Sequence, residues 1–124
     1  MQNQRILFVE DNFICNMDTC EVLRAHGFKV TATYCASAAF EEIAKHEYLS
    51  ALVTDIDLGK GADGFEVSHQ ARKAYPHLPV VYISGTAALR HLSEGVEDST
   101  FLTKPCHPLQ IVAALNRAIR LEAA

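Results

Sequence analysis

SALVTDIDLGKGADGFEV, residues Ser50–Val67, carries an abrupt change of character. Ala51, Leu52 and Val53 read as a strand driven into a core, and Asp55 and Asp57 follow at once. A loop with Gly59, Gly61 and Gly64 comes next, and Phe65 opens a stretch with helical spacing. A carboxylate at the end of an apolar strand is costly to desolvate unless something pairs with it. The sequence around this stretch must therefore supply what stands beside Asp55.

Downstream, Phe65–Tyr75 reads as a helix stopped by Pro76, because the residue before a proline is biased away from helical backbone. Pro79–Ser84 (PVVYIS) is apolar almost throughout, as strands buried on both faces are. A weaker helix is expected around Ala87–Ser93, a short strand over Thr100–Thr103, and a clear helix over Leu109–Leu121. Upstream, Ala51–Thr54 is preceded by a helix capped at Ser37 (AAFEEIAKH), with Phe40, Ile43 and Ala44 on one face. Phe28–Tyr34 alternates large and small groups as a strand does. Arg5–Val9 is a β-rich apolar run, followed by N-cap candidates Asp11 and Asn12 and a helix carrying Phe13, Met17, Cys20, Val22 and Leu23. Five strands alternating with five helices call for right-handed crossovers and a parallel sheet covered on both sides, so the expected class is α/β, doubly wound. All strand C-terminal ends then lie along one edge, where ligands of open α/β sheets bind. Glu10–Asp11, Asp55 and Asp57, Ser84–Gly85 and Lys104–Pro105 all fall on that edge.

The length of 124 residues fits one domain spanning the chain, and 49 % hydrophobic with 21 % charged residues is a globular composition. A formal net charge of −4 argues against a nucleic-acid surface. No apolar run reaches the ~20 residues of a membrane span, and the start MQNQRILFVED lacks the pattern of a secretory signal. Cys15, Cys20, Cys35 and Cys106 form no CxxC pair, which suits small buried hydrophobes in a reducing, cytoplasmic setting. The histidines, His69, His77 and His107 among them, show no zinc-ligand spacing and are expected to be mostly solvated.

Carboxylates crowded on one edge raise each other's pKa unless a cation intervenes. An all-oxygen set of this kind suits Mg²⁺. Held between Glu10–Asp11 and Asp55, such an ion leaves Asp55 ionised, exposed and nucleophilic, a route to an acyl phosphate. A lysine and a serine hydroxyl would then meet the oxygens of the transferring phosphoryl group.

These residues resemble the receiver domains of two-component response regulators. The matching pieces are VEDN (Val9–Asn12), VTDIDLGKGADGFEV (Val53–Val67), VVYISG (Val80–Gly85) and FLTKP (Phe101–Pro105), which together span essentially the whole chain. The resemblance implies a flavodoxin-like sheet of order 2-1-3-4-5. It implies a phosphoryl group taken from a histidine kinase or histidine phosphotransfer protein, with turnover limited to the domain's own aspartyl phosphate rather than enzyme chemistry on a separate substrate. By position, Asp55 would be the phosphoacceptor. Asp11 would ligate Mg²⁺ directly, Glu10 through water, and Asp57 by its backbone carbonyl. Ser84 would be the switch hydroxyl, Lys104 the phosphoryl-binding cation and Phe101 the switch aromatic, and Lys104–Pro105 would be cis. The family also implies signalling through the fourth helix, fifth strand and last helix to a partner or output domain, as a monomer or a dimer. Drawing Ser84 inward would move Thr86–Leu89 and open space for an outward Phe101 to rotate in, a burial worth ~1.5–3 kcal/mol. The loop GKGADG, Phe101 in place of a hydroxylated aromatic, and Cys106 after Lys-Pro depart from the common pattern.

Two other functions share parts of this pattern. Asp55-Ile56-Asp57 mimics the DxD of Mg²⁺-dependent phosphatases that form an aspartyl phosphate, although that motif normally follows an early strand. A binding module that keeps the fold without phosphorylation is the other, although it would be expected to lose the acceptor, the acidic pair or the lysine. The ending RLEAA is compatible with a stand-alone receiver and with a piece of a larger regulator or hybrid kinase.

Overall fold

The computed structural model describes residues 4–86 and 88–123. The elements are β1 (Arg5–Val9), α1 (Phe13–Ala25), β2 (Lys29–Thr33), α2 (Ala36–Ala44), β3 (Ala51–Asp55), α3 (Gly64–Ala74), β4 (Val80–Ser84), α4 (Ala88–Glu94), β5 (Thr100–Thr103) and α5 (Pro108–Ala123). The strands form one sheet in the order β2-β1-β3-β4-β5, and every neighbouring pair is parallel. Ala87, where the expected fourth helix opens, lies outside the described residues, as do the first three residues and Ala124.

Side chains alternate between the faces of a strand, and the two packed layers follow from that period. Leu7, Val9, Leu52, Val80 and Tyr82 face α2 and α3, where Ala39, Ile43, Phe65, Val67 and Ala71 complete one core. Ile6, Phe8, Val53, Val81 and Ile83 face α1 and α5 and pack on Cys20, Leu23, Ile111, Val112 and Leu115. β3 and β4, central and covered twice, are buried at every residue.

Local chemistry sets the helix starts that matter for the site. Asn12 caps α1, its side chain accepting from the Cys15 N–H at 2.9 Å. Asp63 caps α3 in a reciprocal capping box with Glu66. α1 leaves its last turn through His26 and Gly27, whose φ of +93° glycine adopts without a Cβ penalty.

Several expectations are corrected here. Ser37 lies inside α2, and the N-cap is Cys35, whose side chain makes no cap hydrogen bond. The inward face of α1 is Asn16, Thr19, Cys20 and Leu23, while Phe13 and Met17 are exposed. Asn16 is held inside by donating to the Glu10 and Thr33 carbonyls at 2.9 and 3.0 Å. Only Cys20 of the cysteines is buried, and Cys15 is exposed.

Candidate functional site

β1 and β3 are neighbours, with Val9 opposite Thr54, so the residues after Val9 meet the end of β3. Glu10 and Asp55 are buried there, at 4 % and 5 % exposure, so Asp55 forms the floor of the edge and is not the exposed group expected. Asp11 stands exposed above them. Among the described residues, Glu10, Asp11 and Asp55 form a group with one carboxylate oxygen of each within 4.8 Å of the others. Asp57 is exposed on the following loop and its carboxylate is not part of that group.

β5 brings the balancing cation. Lys104 Nζ donates to Asp55 Oδ2 at 2.7 Å and to Glu10 Oε1 at 3.3 Å, across a cis Lys104–Pro105 bond at the end of the strand. Its backbone N–H donates to the Ser84 carbonyl at 3.0 Å, so the lysine and the serine are tied at the main chain. Ser84 is buried, and its hydroxyl accepts from the Thr86 N–H at 3.2 Å. Burial is the main cause that raises the Glu10 carboxyl, and the neighbouring Asp55 charge adds to it. The Asn12 N–H and Lys104 act in the opposite direction. Attraction to Asp55 and Glu10 holds the Lys104 ammonium above its ordinary range although burial opposes this. With one ammonium against two buried carboxylates and a third beside them, the edge keeps an excess of anionic oxygen. That donor set fits a hard divalent cation.

The loop after Asp55 depends on Gly64, the last of its three glycines. A Cβ on Gly64 would stand 2.2 Å from the Asp55 carbonyl oxygen and 2.9 Å from the Ile56 Cα. α3 therefore starts directly on the backbone of Asp55, and the Gly64 N–H donates to the Ile56 carbonyl at 2.8 Å. The sequence signal was a glycine directly after a capping aspartate. Gly59 and Gly61, with φ of +80° and +93°, carry the turn between them.

Phe101 is half-buried against the α2–α3 core rather than turned outward, and its ring lies 5.3 Å from that of His91. His91 also packs at 5.3 Å on Tyr82. His69, exposed as expected, places Nε2 2.6 Å from the Glu94 carbonyl. The roomiest concavity described, about 640 Å³, opens elsewhere, between Arg72 and His77 after α3 and Arg117 on α5.

Residues 6–116 match the family model of the response regulator receiver domain, and the chain belongs to that family of two-component signalling proteins. The response regulator receiver protein CpdR of Brucella abortus is 30 % identical over 94 % of this chain and 97 % of its own. A solved response regulator receiver protein from Sinorhizobium medicae is 35 % identical, with a TM-score of 0.93 and 98 % of each chain covered. A CheY-like receiver domain from Methanospirillum hungatei, 22 % identical, shares the fold with a TM-score of 0.87 over 98 % of both chains.

Proposed function

We propose that this receiver accepts a phosphoryl group on Asp55 from the phosphohistidine of a kinase or phosphotransfer protein in the cytoplasm, and that it is not an enzyme for a separate substrate. The observation that carries the reading is Lys104 Nζ lying between Asp55 and Glu10 on an open sheet edge, with Asp11 completing the acidic group. Glu10, Asp11 and Asp55, with the Asp57 carbonyl, would hold Mg²⁺. Bound there, the ion would neutralise charge on the phosphoryl oxygens. An Asp55 carboxylate oxygen attacks phosphorus, the P–N bond breaks, and the imidazole nitrogen leaves with the bonding pair. The Lys104 ammonium turns from the carboxylate to a phosphoryl oxygen, and the Ser84 hydroxyl donates to another.

The donor's landing place is suggested by exposed apolar side chains beside the edge. Phe13 stacks on Tyr34 with centroids 5.8 Å apart, and Ile14 and Met17 share their exposure. A patch of this kind marks a protein contact more often than a solvated surface. Phosphorylation would be read by partners on α4, β5 and α5.

The test is incubation with a small phosphodonor and Mg²⁺, followed by intact-mass measurement. One phosphoryl group is expected, lost in Asp55→Asn and with chelator, and stable labelling of that variant would sink the assignment. Sustained release of phosphate from a monoester would instead favour the DxD phosphatase, a reading weakened by the exposed position of Asp57 outside the acidic group. Lys104→Ala should keep metal binding but lose the conformational response to phosphorylation.

A further inference from the structure

α4 spans only Ala88–Glu94, too short to be stable by its own backbone bonds. Side chains must therefore hold it in place. Two consecutive residues do so in opposite directions. Arg90 reaches toward the acceptor loop: its Nη2 donates to Asp63 Oδ2 at 2.8 Å, and its guanidinium lies 5.1 Å over the Phe65 ring. Glu94 orients that guanidinium through bonds of 2.7 and 3.0 Å. His91 reaches the other way, toward β5, with its ring between Tyr82 and Phe101. Its Nε2 donates to Ser99 Oγ at 2.8 Å, since the Ser99 hydroxyl is itself spent on the Val96 carbonyl.

Asp63 is not a free surface carboxylate. Its Oδ1 accepts from the Glu66 N–H at 3.0 Å as the cap of α3, and its Oδ2 holds Arg90. The next residue, Gly64, rests on the Asp55 carbonyl with no room for a Cβ. A shift of the chain after the acceptor therefore carries Asp63 with it and pulls on Arg90.

We propose that Arg90 is a positioning residue that joins the loop after Asp55 to α4 through Asp63, a second link besides the one through Ser84. It rests on the reading of Asp55 as acceptor for its role in signalling, though not for its existence in the resting protein. Movement of residues 56–63 reaches α4 through Arg90 and continues to Phe101 through His91. By linkage, a partner that fixes α4 also steadies the acceptor loop.

Amide exchange followed by mass spectrometry tests this in wild type, Arg90→Ala, Arg90→Lys, Asp63→Ser and the Arg90→Ala/Asp63→Ser double variant. Serine keeps an N-cap oxygen and removes the charge and the second oxygen that holds Arg90. In the resting protein, Arg90→Ala and Asp63→Ser should each speed exchange about two- to fivefold in both segments, 56–63 and 90–94, the range of a partly exposed ion pair. The double variant should add nothing to the larger single effect, and Arg90→Lys should recover part of it. After phosphodonor and Mg²⁺, Arg90→Ala should still be labelled at Asp55 while its α4 response falls about two- to fivefold. Effects confined to the mutated segment, additive effects, or a full α4 response in Arg90→Ala overturn the link. Absence of labelling in wild type defeats the acceptor reading instead, and the resting-state exchange still decides the link.

Discussion

β3 and β4 are buried at every residue, whereas β5 is half-buried at best and ends exposed at Thr103. Two of the three carboxylates of the edge, Glu10 and Asp55, stand on the first kind of support. Asp55 closes β3, Glu10 follows β1, buried from Ile6 to Val9, and α3 is seated on the Asp55 carbonyl. Lys104 follows the second kind, beside a short α4 that is gripped by Arg90 and His91. Such a division suits a phosphoryl switch. The chemistry needs groups fixed to a fraction of an ångström, and the reading surface needs alternatives separated by little free energy.

If the division is real, Gly64→Ala should cause the largest loss. The methyl group meets backbone on both sides, so about 3 kcal/mol is expected, read as a lower urea midpoint with an unchanged slope. Gly85→Ala, beside the Lys104 that follows β5, finds only the Lys104 Cβ at 4.0 Å and should stay within about 0.5 kcal/mol. Similar losses in both variants would erase the contrast.

Tyr82→Phe should have an intermediate effect. The phenol oxygen accepts from the Val96 N–H at 2.9 Å and bonds the Ser68 hydroxyl, so its loss strands a buried donor, at about 1–2 kcal/mol. Burial is the main cause that raises this phenol's pKa. A raised acid contributes stability that is intact below the ordinary tyrosine pKa of about 10 and lost as pH climbs through the folded value. Alkaline melting curves should therefore fall more steeply for wild type than for the variant.

The smallest expected change is in Glu10→Gln. Removing one of two buried like charges should modestly raise the thermal midpoint in chelator, and the rise expected on adding Mg²⁺ to wild type should be smaller in the variant. A lower midpoint in chelator would mean that the Lys104 pairing outweighs the repulsion.

These contrasts also mark what the sequence could show. The strands were found within a residue or two, because a run such as Val80–Ile83, buried on both faces, admits few other readings. The edge residues follow from the parallel topology, which puts every strand's C-terminal end on one edge, and the long Lys104 side chain spans β4 to reach Asp55. The burial of Asn16 on α1 rests on bonds to the Glu10 carbonyl after β1 and the Thr33 carbonyl on β2, which no helical periodicity encodes. The start of α2 was misplaced because Ser37 is the better capping residue, yet the chain enters at Cys35. Asp63 and Arg90 are 27 positions apart, and their pairing exists only once α3 and α4 are packed.

The wide spacing of the edge residues also has a consequence for biosynthesis. Glu10 and Lys104 are separated by 94 positions, and Asp55 and Lys104 by 49. A ribosome-bound chain exposes its acidic residues well before the lysine that balances them has left the tunnel. At about 5–20 residues per second, that interval lasts several seconds. The charge balance of Glu10 and Asp55 therefore arrives only with the final strand and helix.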